Sequence, residues 1–291
     1  MKKFNTYRTG ILFTAPFLIL YAVFVLAPII ICIGISLTNY NLLETPDFVG
    51  LTNYKLLFME DSVFITAVSN TVVFAVISGP ISLIASFLLA WIINKAPLSK
   101  LFSLAFYAPS ITSSIAMTVV WLYFFSPDRY GLINNVLFEL GVINEPIYWT
   151  TDPATIMIVI IIISIWMSLG SNFMVFIAGL KNTSPELLEA GQMDGIKNQG
   201  QELLYIILPQ MKPQLLFGII NAVVGAFGVF DIAVTVAGMP SPDYAGHTIV
   251  AHLYDYAFIR FEMGYAAAIS VMLFIFTFGI GQIAMKLLSK D

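Results

Sequence analysis

Residues 155–180 read TIMIVIIIISIWMSLGSNFMVFIAGL and contain no charged side chain. A helix needs about 20 apolar residues to cross the hydrocarbon core of a bilayer. The chain has six such runs, at about 11–37, 64–93, 101–125, 155–180, 214–238 and 264–288. These runs lack the alternation of barrel strands, and backbone groups in lipid must be hydrogen-bonded within their own segment. The sequence therefore predicts six transmembrane helices.

The composition agrees with this fold class. Of the 291 residues 59% are hydrophobic and 10% are charged, whereas a soluble domain carries about 25% charged residues. The net charge of −4 gives no basic surface for a nucleic-acid partner. The single cysteine, Cys32, lies in an apolar run, which excludes an internal disulfide framework. We expect an all-α integral membrane protein with no metal site.

The first run is predicted to remain in the protein. Lys2, Lys3 and Arg8 precede it as in a signal peptide, but the run from Ile11 to Leu37 is too long for the apolar core of one. We therefore expect residues 1–10 to form a short N-terminal segment, residues 11–288 the membrane domain and residues 289–291 a C-terminal tail.

The basic residues predict the orientation. An even number of spans places both termini on one side, together with residues 94–100 and 181–213. That side holds ten of the 13 basic residues: Lys2, Lys3, Arg8, Lys95, Lys100, Lys181, Lys197, Lys212, Lys286 and Lys290. The opposite side holds Lys55, Arg129 and Arg260. Because basic residues concentrate in cytoplasmic loops, we expect both termini and the 181–213 loop to be cytoplasmic.

This cytoplasmic loop contains SPELLEAGQMDGIKNQGQELLYIILPQMKP at 184–213. Ser184 and Pro185 are typical of a helix start, and Asp194-Gly195 is typical of a helix end. A second helical stretch, Gln201–Leu208, is predicted to return to the bilayer, with Pro209 and Pro213 breaking it before the fifth span.

The polar face of the first loop helix is acidic. It carries Glu186, Glu189 and Asp194 and no basic residue, whereas helices that lie on lipid are usually rich in Lys or Arg. This pattern favours docking into a groove of another protein. An amphipathic linker that rests on the membrane is the alternative.

A second group of candidate residues is polar or aromatic and lies inside the predicted spans. A polar path for a substrate would use the following side chains: Asn70, Tyr107, Trp166, Asn172, Asn221 and Asp231. Hydrogen bonding between helices is the alternative role for the amides. Asp231 either faces a wet cavity or lies near the outer interface, since a charge in the bilayer interior is costly.

Several catalytic motifs are missing from the sequence. The chain contains no Gly-Lys dipeptide and therefore no phosphate loop. It has neither H-E-x-x-H nor G-x-S-x-G, and no metal-ligand cluster accompanies His247 and His252. We expect a protein that is not an enzyme and carries no cofactor of its own.

The cytoplasmic loop carries a family resemblance. Glu189-Ala190-Gly191, then Asp194-Gly195, then Ile206-x-Leu208-Pro209 resembles the EAA loop of binding-protein-dependent ABC importer permeases. Two features depart from the family pattern. Gly191 stands where the family usually has Ala, and the interval from Gly195 to Ile206 is one residue longer than the commonest spacing.

Similar motifs occur along nearly the whole chain. SLTNYN (36–41), FVGLTNYKLLF (48–58), Asn70-Thr71, Gly131-Leu132-Ile133-Asn134, Phe230-Asp231 and GYAAAIS (264–270) resemble carbohydrate-class permeases of this type. The resemblance implies the type I importer fold, an oligosaccharide or glycoside as substrate, and a bacterial plasma-membrane location. It also implies a second homologous permease, an extracytoplasmic substrate-binding protein, and an ATPase dimer that binds ATP and Mg²⁺.

In the family the EAA loop forms a coupling helix that docks into the ATPase. The resemblance assigns this role to Glu189, Ala190, Gly191, Asp194, Gly195, Leu208 and Pro209. The alternatives are an ABC permease for a non-sugar solute, an ion-coupled secondary transporter and a structural scaffold. The absence of two related halves disfavours the secondary transporter, and the sugar-class resemblance disfavours the non-sugar solute. A scaffold would predict no effect from mutating the candidate path residues.

Overall fold

The computed structural model describes residues 2–288, so the predicted tail 289–291, including Lys290, lies outside the described residues. Across residues 2–288 the chain is helical, and its β-structure is one isolated bridge between Thr38 and Phe48. The first helices are α1 (Lys2–Tyr21), α2 (Ala27–Ile35), α3 (Thr52–Met59), α4 (Ser62–Asn94), α5 (Ser99–Ile111), α6 (Ser114–Phe124) and α7 (Leu132–Glu139). They are followed by α8 (Pro153–Lys181), α9 (Pro185–Met193), α10 (Gln199–Glu202), α11 (Leu208–Gln210), α12 (Lys212–Phe227), α13 (Asp231–Ala237), α14 (Ile249–Tyr254) and α15 (Met263–Leu288). Within residues 2–288, the π turn Ala22–Leu26 joins α1 to α2 and the π turn Leu203–Ile207 joins α10 to α11, while a third, Asp255–Ile259, directly follows α14.

Within residues 2–288, five segments are long and apolar enough to cross a membrane. They are Gly10–Ile35, Ser62–Asn94, Pro153–Lys181, Lys212–Ala237 and Met263–Lys286. They correspond to five of the six predicted spans. The sixth prediction, a helix over 101–125, differs from the structure, which has the pair α5 and α6 bent by 101° at this place. The count is six when the bent pair is one span.

The break between α5 and α6 has a local cause in the hydroxyl side chains around it. Thr112 and Ser113 leave the helical region, with ψ angles of 151° and 125°. Ser110 Oγ donates to the Tyr107 carbonyl at 2.8 Å, and Thr112 Oγ1 donates to the Ala108 carbonyl at 2.9 Å. Such side chains satisfy carbonyls that the interrupted helix would leave without partners. The apolar composition of residues 101–125 therefore predicted the span but not the break at Thr112 and Ser113.

The chain divides into two compact units. The first consists of the residues up to Ser62 together with Leu253–Ile275. In it Asn53, which is buried, donates to the carbonyls of Ser36 and Thr38 at 2.9 and 2.8 Å. The backbone of Gly264 lies so close to that of Thr38 that a Cβ on Gly264 would be 2.0 Å from the Thr38 carbonyl oxygen. The motifs around residues 38, 53 and 264 therefore fix backbone packing.

Asp61 is a shared acceptor in the same unit. The hydroxyl of Tyr265 donates to Asp61 Oδ2 at 2.7 Å, and that of Tyr256 donates to the same oxygen at 3.4 Å. Burial, with the Asp61 carboxylate beside it, raises the pKa of Tyr256 to about 12. The phenol of Tyr256 therefore stays protonated at neutral pH and remains a donor.

The second unit consists of Val63–His252 together with the residues from Phe276 onward. Its core has two apolar clusters, one built around Ile156, Ile160 and Ile163 and the other around Phe173 and Phe176. Helices α5 and α8 approach closely at Gly170, where a Cβ would lie 2.8 Å from the Phe106 carbonyl oxygen. Because this contact excludes any larger side chain, Gly170 sets the separation of the two helices.

Asn134 organises the 126–153 segment of the second unit. Its fully buried amide donates to the carbonyls of Asp128 and Ile147 at 3.0 Å each and to that of Ser126 at 3.3 Å. Its oxygen accepts from Trp149 Nε1 at 2.9 Å and from the Ile147 amide at 3.2 Å. A hydrogen bond from Ser126 Oγ, with two backbone amides, lowers the pKa of Asp128 in the adjoining turn. Asn134 therefore ties the two ends of the segment together, and Asp128 holds the turn beside it.

This network predicts that Asn134→Ala destabilises the protein by about 1–3 kcal/mol, because buried backbone groups and the Trp149 indole lose their partner. Thermal unfolding of the purified protein measures the effect. The matched control is Asn135→Ala, since Asn135 is exposed and its side chain donates a 3.2 Å hydrogen bond to the exposed end of Glu139 and not to the backbone. Equal unfolding temperatures for the two variants would show that the Asn134 network does not stabilise the segment.

Candidate functional site

A cavity of about 680 Å³ lies within the second unit, among α4, α6, α8, α12, α13 and the turn that joins the last two. Its polar lining residues are Ser78, Ser82, Ser114, Ser164, Ser168, Ser171, Asn172, Asn221 and Asp231. The remaining lining is apolar or glycine and includes Phe74, Met167, Val229 and Phe230. We call this space the hydroxyl-lined cavity.

The serines reach the cavity because of their helical spacing. Ser164, Ser168 and Ser171 are four and three residues apart on α8, and Ser78 and Ser82 are four apart on α4. Residues with these separations share one face of a helix. The sequence analysis passed over these serines. A search for hydroxyl residues at intervals of three or four inside the apolar runs would have found them.

Two polar atoms of the lining are buried without a partner. Within the described residues, Ser164 Oγ and Asn172 Oδ1 have no hydrogen-bond partner, and the two residues are 8% and 5% exposed. Leaving a buried polar group unsatisfied costs about 1–3 kcal/mol. Both residues line the cavity, and the two atoms themselves are buried, so a ligand would reach them only after a shift of the lining side chains.

Two interrupted helices meet at the cavity. Ser114 is the first residue of α6, directly after the break at Thr112 and Ser113, and Asp231 is the first residue of α13, directly after the break at Gly228–Phe230. Ser114 Oγ donates to Asp231 Oδ2 at 2.6 Å. Non-helical backbone at membrane depth is tolerated where it is buried in protein or lines a water-filled space. The position of both breaks at this cavity fits that rule.

The structure places Asn172, Asn221 and Asp231, three of the six predicted path residues, at the cavity. Asn70 lies elsewhere and has a different task. Its amide donates to the carbonyls of Tyr244 and His247 at 2.8 and 3.0 Å, so it holds the segment before α14 against α4. These hydrogen bonds fit the alternative role of the amides in packing, and a place for Asn70 on a substrate path stays a prediction.

Trp166 and Tyr107 also lie outside the cavity lining. The Trp166 ring packs edge-on against Trp121, with centroids 5.4 Å apart, as part of an apolar cluster. On α5 the face that meets Gly170 of α8 carries Phe106 and Ser110. Tyr107 is one residue further along and is therefore rotated by about 100° from that face. Neither ring is placed to stack on a ligand in the cavity.

The 181–213 loop contains α9 as predicted. Ser184 precedes the helix, but its hydroxyl bonds to the Glu186 carboxylate and leaves the backbone amides uncapped. At the other end the amide of Gly195 donates to the Gln192 carbonyl, and that of Ile196 donates to the Gly191 carbonyl at 2.9 Å. With Gly195 at a φ of +98°, this is a Schellman end after Asp194.

The returning helix differs from its prediction at the prolines. Pro209 lies inside α11, the chain turns at Met211, and Pro213 lies in the first turn of α12. The π turn Leu203–Ile207 precedes Pro209 directly, and the Leu208 amide donates to the Leu203 carbonyl, five residues back. A π turn holds one residue more than an α turn. It lies within the interval from Gly195 to Pro209 that is one residue longer than usual.

The second departure from the family pattern lies against this π turn. A Cβ on Gly191 would be 2.4 Å from Ile206 Cδ1 and 3.1 Å from Ile196 Cδ1. Ile206 belongs to the π turn. With Ile206 in this rotamer, Gly191 leaves no room for a Cβ, and both departures lie at one contact between α9 and the returning helix.

The loop is attached on one side and exposed on the other. Ile207 and Met211 are buried in the apolar cluster around Phe176, with Leu208 packed against it, and Lys95 Nζ lies 3.2 Å from Glu202 Oε1. Glu189, Ala190, Asp194 and Pro209 are exposed, and Met193 is 89% exposed. The loop thus has a fixed inner face and an outer face that is free for a partner.

Comparison with known proteins gives one family. The protein-family model described as "binding-protein-dependent transport system inner membrane component" matches residues 82–289. The chain is 33% identical over 270 residues to the lactose transport system permease protein LacF of Rhizobium radiobacter, which covers 91% of this chain and 88% of the relative. It is 32% identical over 278 residues to the arabinooligosaccharides transport system permease protein AraP of Bacillus subtilis, covering 95% and 87%.

A solved structure has a similar fold. It is a bacterial alginate ABC transporter in complex with an alginate pentasaccharide-bound periplasmic protein. One of its chains superposes with a TM-score of 0.84 at 21% identity, over 100% of this chain and 98% of that one. At this identity the likeness concerns the fold.

The contact between Gly191 and Ile206 predicts a compensating pair. In Gly191→Ala the added methyl should force Ile206 Cδ1 out of its rotamer, at a cost of about 0.5–1.5 kcal/mol that offsets the helix propensity gained over Gly. Adding Ile206→Val removes that atom and leaves Cγ1 at 3.6 Å, so the double variant should recover this cost. Thermal unfolding of the four proteins gives the cycle. Additive losses in the double variant would contradict the proposed contact.

Proposed function

Because the chain belongs to the binding-protein-dependent transport system inner membrane components, we propose that it is the permease subunit of an ATP-driven importer of oligosaccharides or related glycosides. The observation that carries the substrate class is the hydroxyl-lined cavity. Six serines, two amides and one carboxylate line it. Hydroxyls donate and accept hydrogen bonds, as sugar hydroxyls do. The names of the relatives, which refer to lactose and arabinooligosaccharides, support the same class.

The two interrupted helices support a transport path at this cavity. Transporters commonly place substrate at discontinuous membrane helices. A glycoside in the cavity would exchange hydrogen bonds with the hydroxyls, amides and carboxylate of the lining. In this proposal transport is by alternating access, with the cavity opened in turn to each side of the membrane.

The orientation follows from the basic residues. With both termini and the 181–213 loop in the cytoplasm of a bacterial cell, the 126–153 segment faces outward, where a binding protein delivers substrate. The chain alone supplies one half of a pathway. A second, homologous permease would complete it, and lipid would cover the remaining apolar faces.

The energy source would be a separate ATPase dimer, which holds ATP and Mg²⁺. The outer face of α9 would dock into it through Glu189, Ala190 and the exposed Met193. Gly191 would transmit the motion inward through its contact with Ile206, since the π turn and α11 continue to α12 and the cavity. Asp194, Gly195, Leu208 and Pro209 would keep the two loop helices in register.

Transport of radiolabelled sugars by the assembled complex in proteoliposomes tests the function. Uptake of a neutral oligosaccharide should require ATP, the ATPase and the substrate-loaded binding protein. Uptake that persists without the ATPase and follows an ion gradient would indicate a secondary transporter. Uptake of an amino acid in place of sugars would indicate another solute class, and no uptake of any solute would indicate a scaffold.

The loop assignment predicts uncoupling variants. Glu189→Arg reverses a charge on the docking face, and Gly195→Asp places a side chain where φ is +98°. Each should lower sugar uptake by roughly tenfold, which corresponds to about 1.4 kcal/mol of lost docking, while membrane insertion is retained. Uptake, ATP hydrolysis and assembly of the complex are measured together. Lys197→Gln, a charge change outside α9, is the control.

Normal sugar uptake by fully assembled Glu189→Arg and Gly195→Asp complexes would show that α9 does not couple the ATPase to the path. A loss of uptake in the Lys197→Gln control of the same size would show that the loop responds to any charge change.

A further inference from the structure

The hydroxyl-lined cavity carries charge of one sign. Among the described residues that line it, Asp231 is the charged one, and they include no Lys, Arg or His. Asp231 is exposed, accepts a hydrogen bond from Ser114 and makes no ion pair within the part of the chain that the structure describes. A carboxylate without a nearby cation leaves a negative potential in such a space.

We propose that Asp231 is a specificity-determining residue, which admits neutral sugars to the cavity and disfavours anionic ones such as uronic acids and sugar phosphates. This inference rests on the proposed function and specifies its substrate class. Asp231 would contact the sugar directly, because it lines the cavity at the helix break where α13 begins.

The chemistry of the carboxylate explains the preference for neutral sugars. A carboxylate only accepts hydrogen bonds, and a sugar hydroxyl can donate to it in a charge-assisted bond. The serine hydroxyl of Ser114 already occupies Oδ2 in this way and shows the geometry that a sugar hydroxyl would take. The remaining serines and amides donate or accept as the sugar requires.

An anionic sugar meets the opposite situation. In a cavity of 680 Å³ a bound carboxylate or phosphate lies close to Asp231, within the screening length of about 8 Å at physiological ionic strength. The like charges repel, and the lining offers no cation to compensate for the lost hydration. We therefore expect discrimination of roughly tenfold against the anion, as two charges a few ångströms apart produce in a partly polar medium.

The cavity potential can be measured without knowing the substrate. Ser168→Cys, in a Cys32→Ser background, places one thiol in the cavity lining of this chain. The complex, with cysteine-free partner subunits, is labelled with cationic and anionic methanethiosulfonate reagents, and each rate is divided by that of a small free thiol. The cationic reagent should react at least about tenfold faster after this correction.

Two further variants separate charge from hydrogen bonding. Asp231→Asn keeps the shape and removes the charge, so the ratio of the two rates should fall to about one. Ser114→Ala removes the 2.6 Å hydrogen bond and keeps the charge, so the ratio should persist. A ratio near one in the Ser168→Cys protein itself would overturn the proposal, because it would mean that the partner permease neutralises Asp231. A ratio that survives Asp231→Asn would overturn it as well.

Transport then tests the consequence for specificity. Uptake of a neutral oligosaccharide is compared with that of its derivative oxidised to a uronic acid at one terminal C6. Asp231→Asn should raise the uronate-to-neutral ratio by roughly tenfold, and the preference of the binding protein cancels because it is the same in both proteins. An unchanged ratio would overturn the specificity role. If no sugar enters at all, the proposed function fails, while the thiol rates still report the charge of the cavity.

Discussion

Lipid cannot hydrogen-bond a peptide group, and this constraint governs the whole structure. It makes the spans helical, and it restricts where a helix can be interrupted. The interruptions before Ser114 and Asp231 both lie at the hydroxyl-lined cavity, where water or a substrate can take the place of the missing backbone partners. The same constraint explains the hydroxyls of Ser110 and Thr112, which satisfy carbonyls at the end of α5.

The spans could be predicted because hydrophobicity adds up over some 20 residues. The break at Thr112 could not, because it depends on two side chains and on what lies across the cavity. Asn172, Asn221 and Asp231 were predicted as polar groups in apolar helices. Asn70 is likewise a polar group in an apolar helix. What distinguishes it is its contact with Tyr244 and His247, which lie 174 and 177 residues further along the chain.

The motifs that resemble the permease family are mainly packing devices. Asn53 and Asn134 bind backbone carbonyls, and Gly264 permits a contact that no side chain would allow. Each of these residues fixes a loop or a close approach of two chain segments. A set of such motifs in this order is therefore specific for one fold. None of these three residues lines the cavity, and the substrate class had to come from the site itself.

The π turn at Leu203–Ile207 has a consequence for comparing permeases. An added residue in a regular helix rotates everything after it by about 100°. A wide turn absorbs the addition locally, so α12 and the cavity residue Asn221 keep their facing. Loop length and cavity geometry are thereby separated, and such proteins can vary the spacing within the 181–213 loop while the hydroxyl-lined cavity stays the same. Alignments that penalise this gap as a misfit would overstate the distance between two chains that share one architecture.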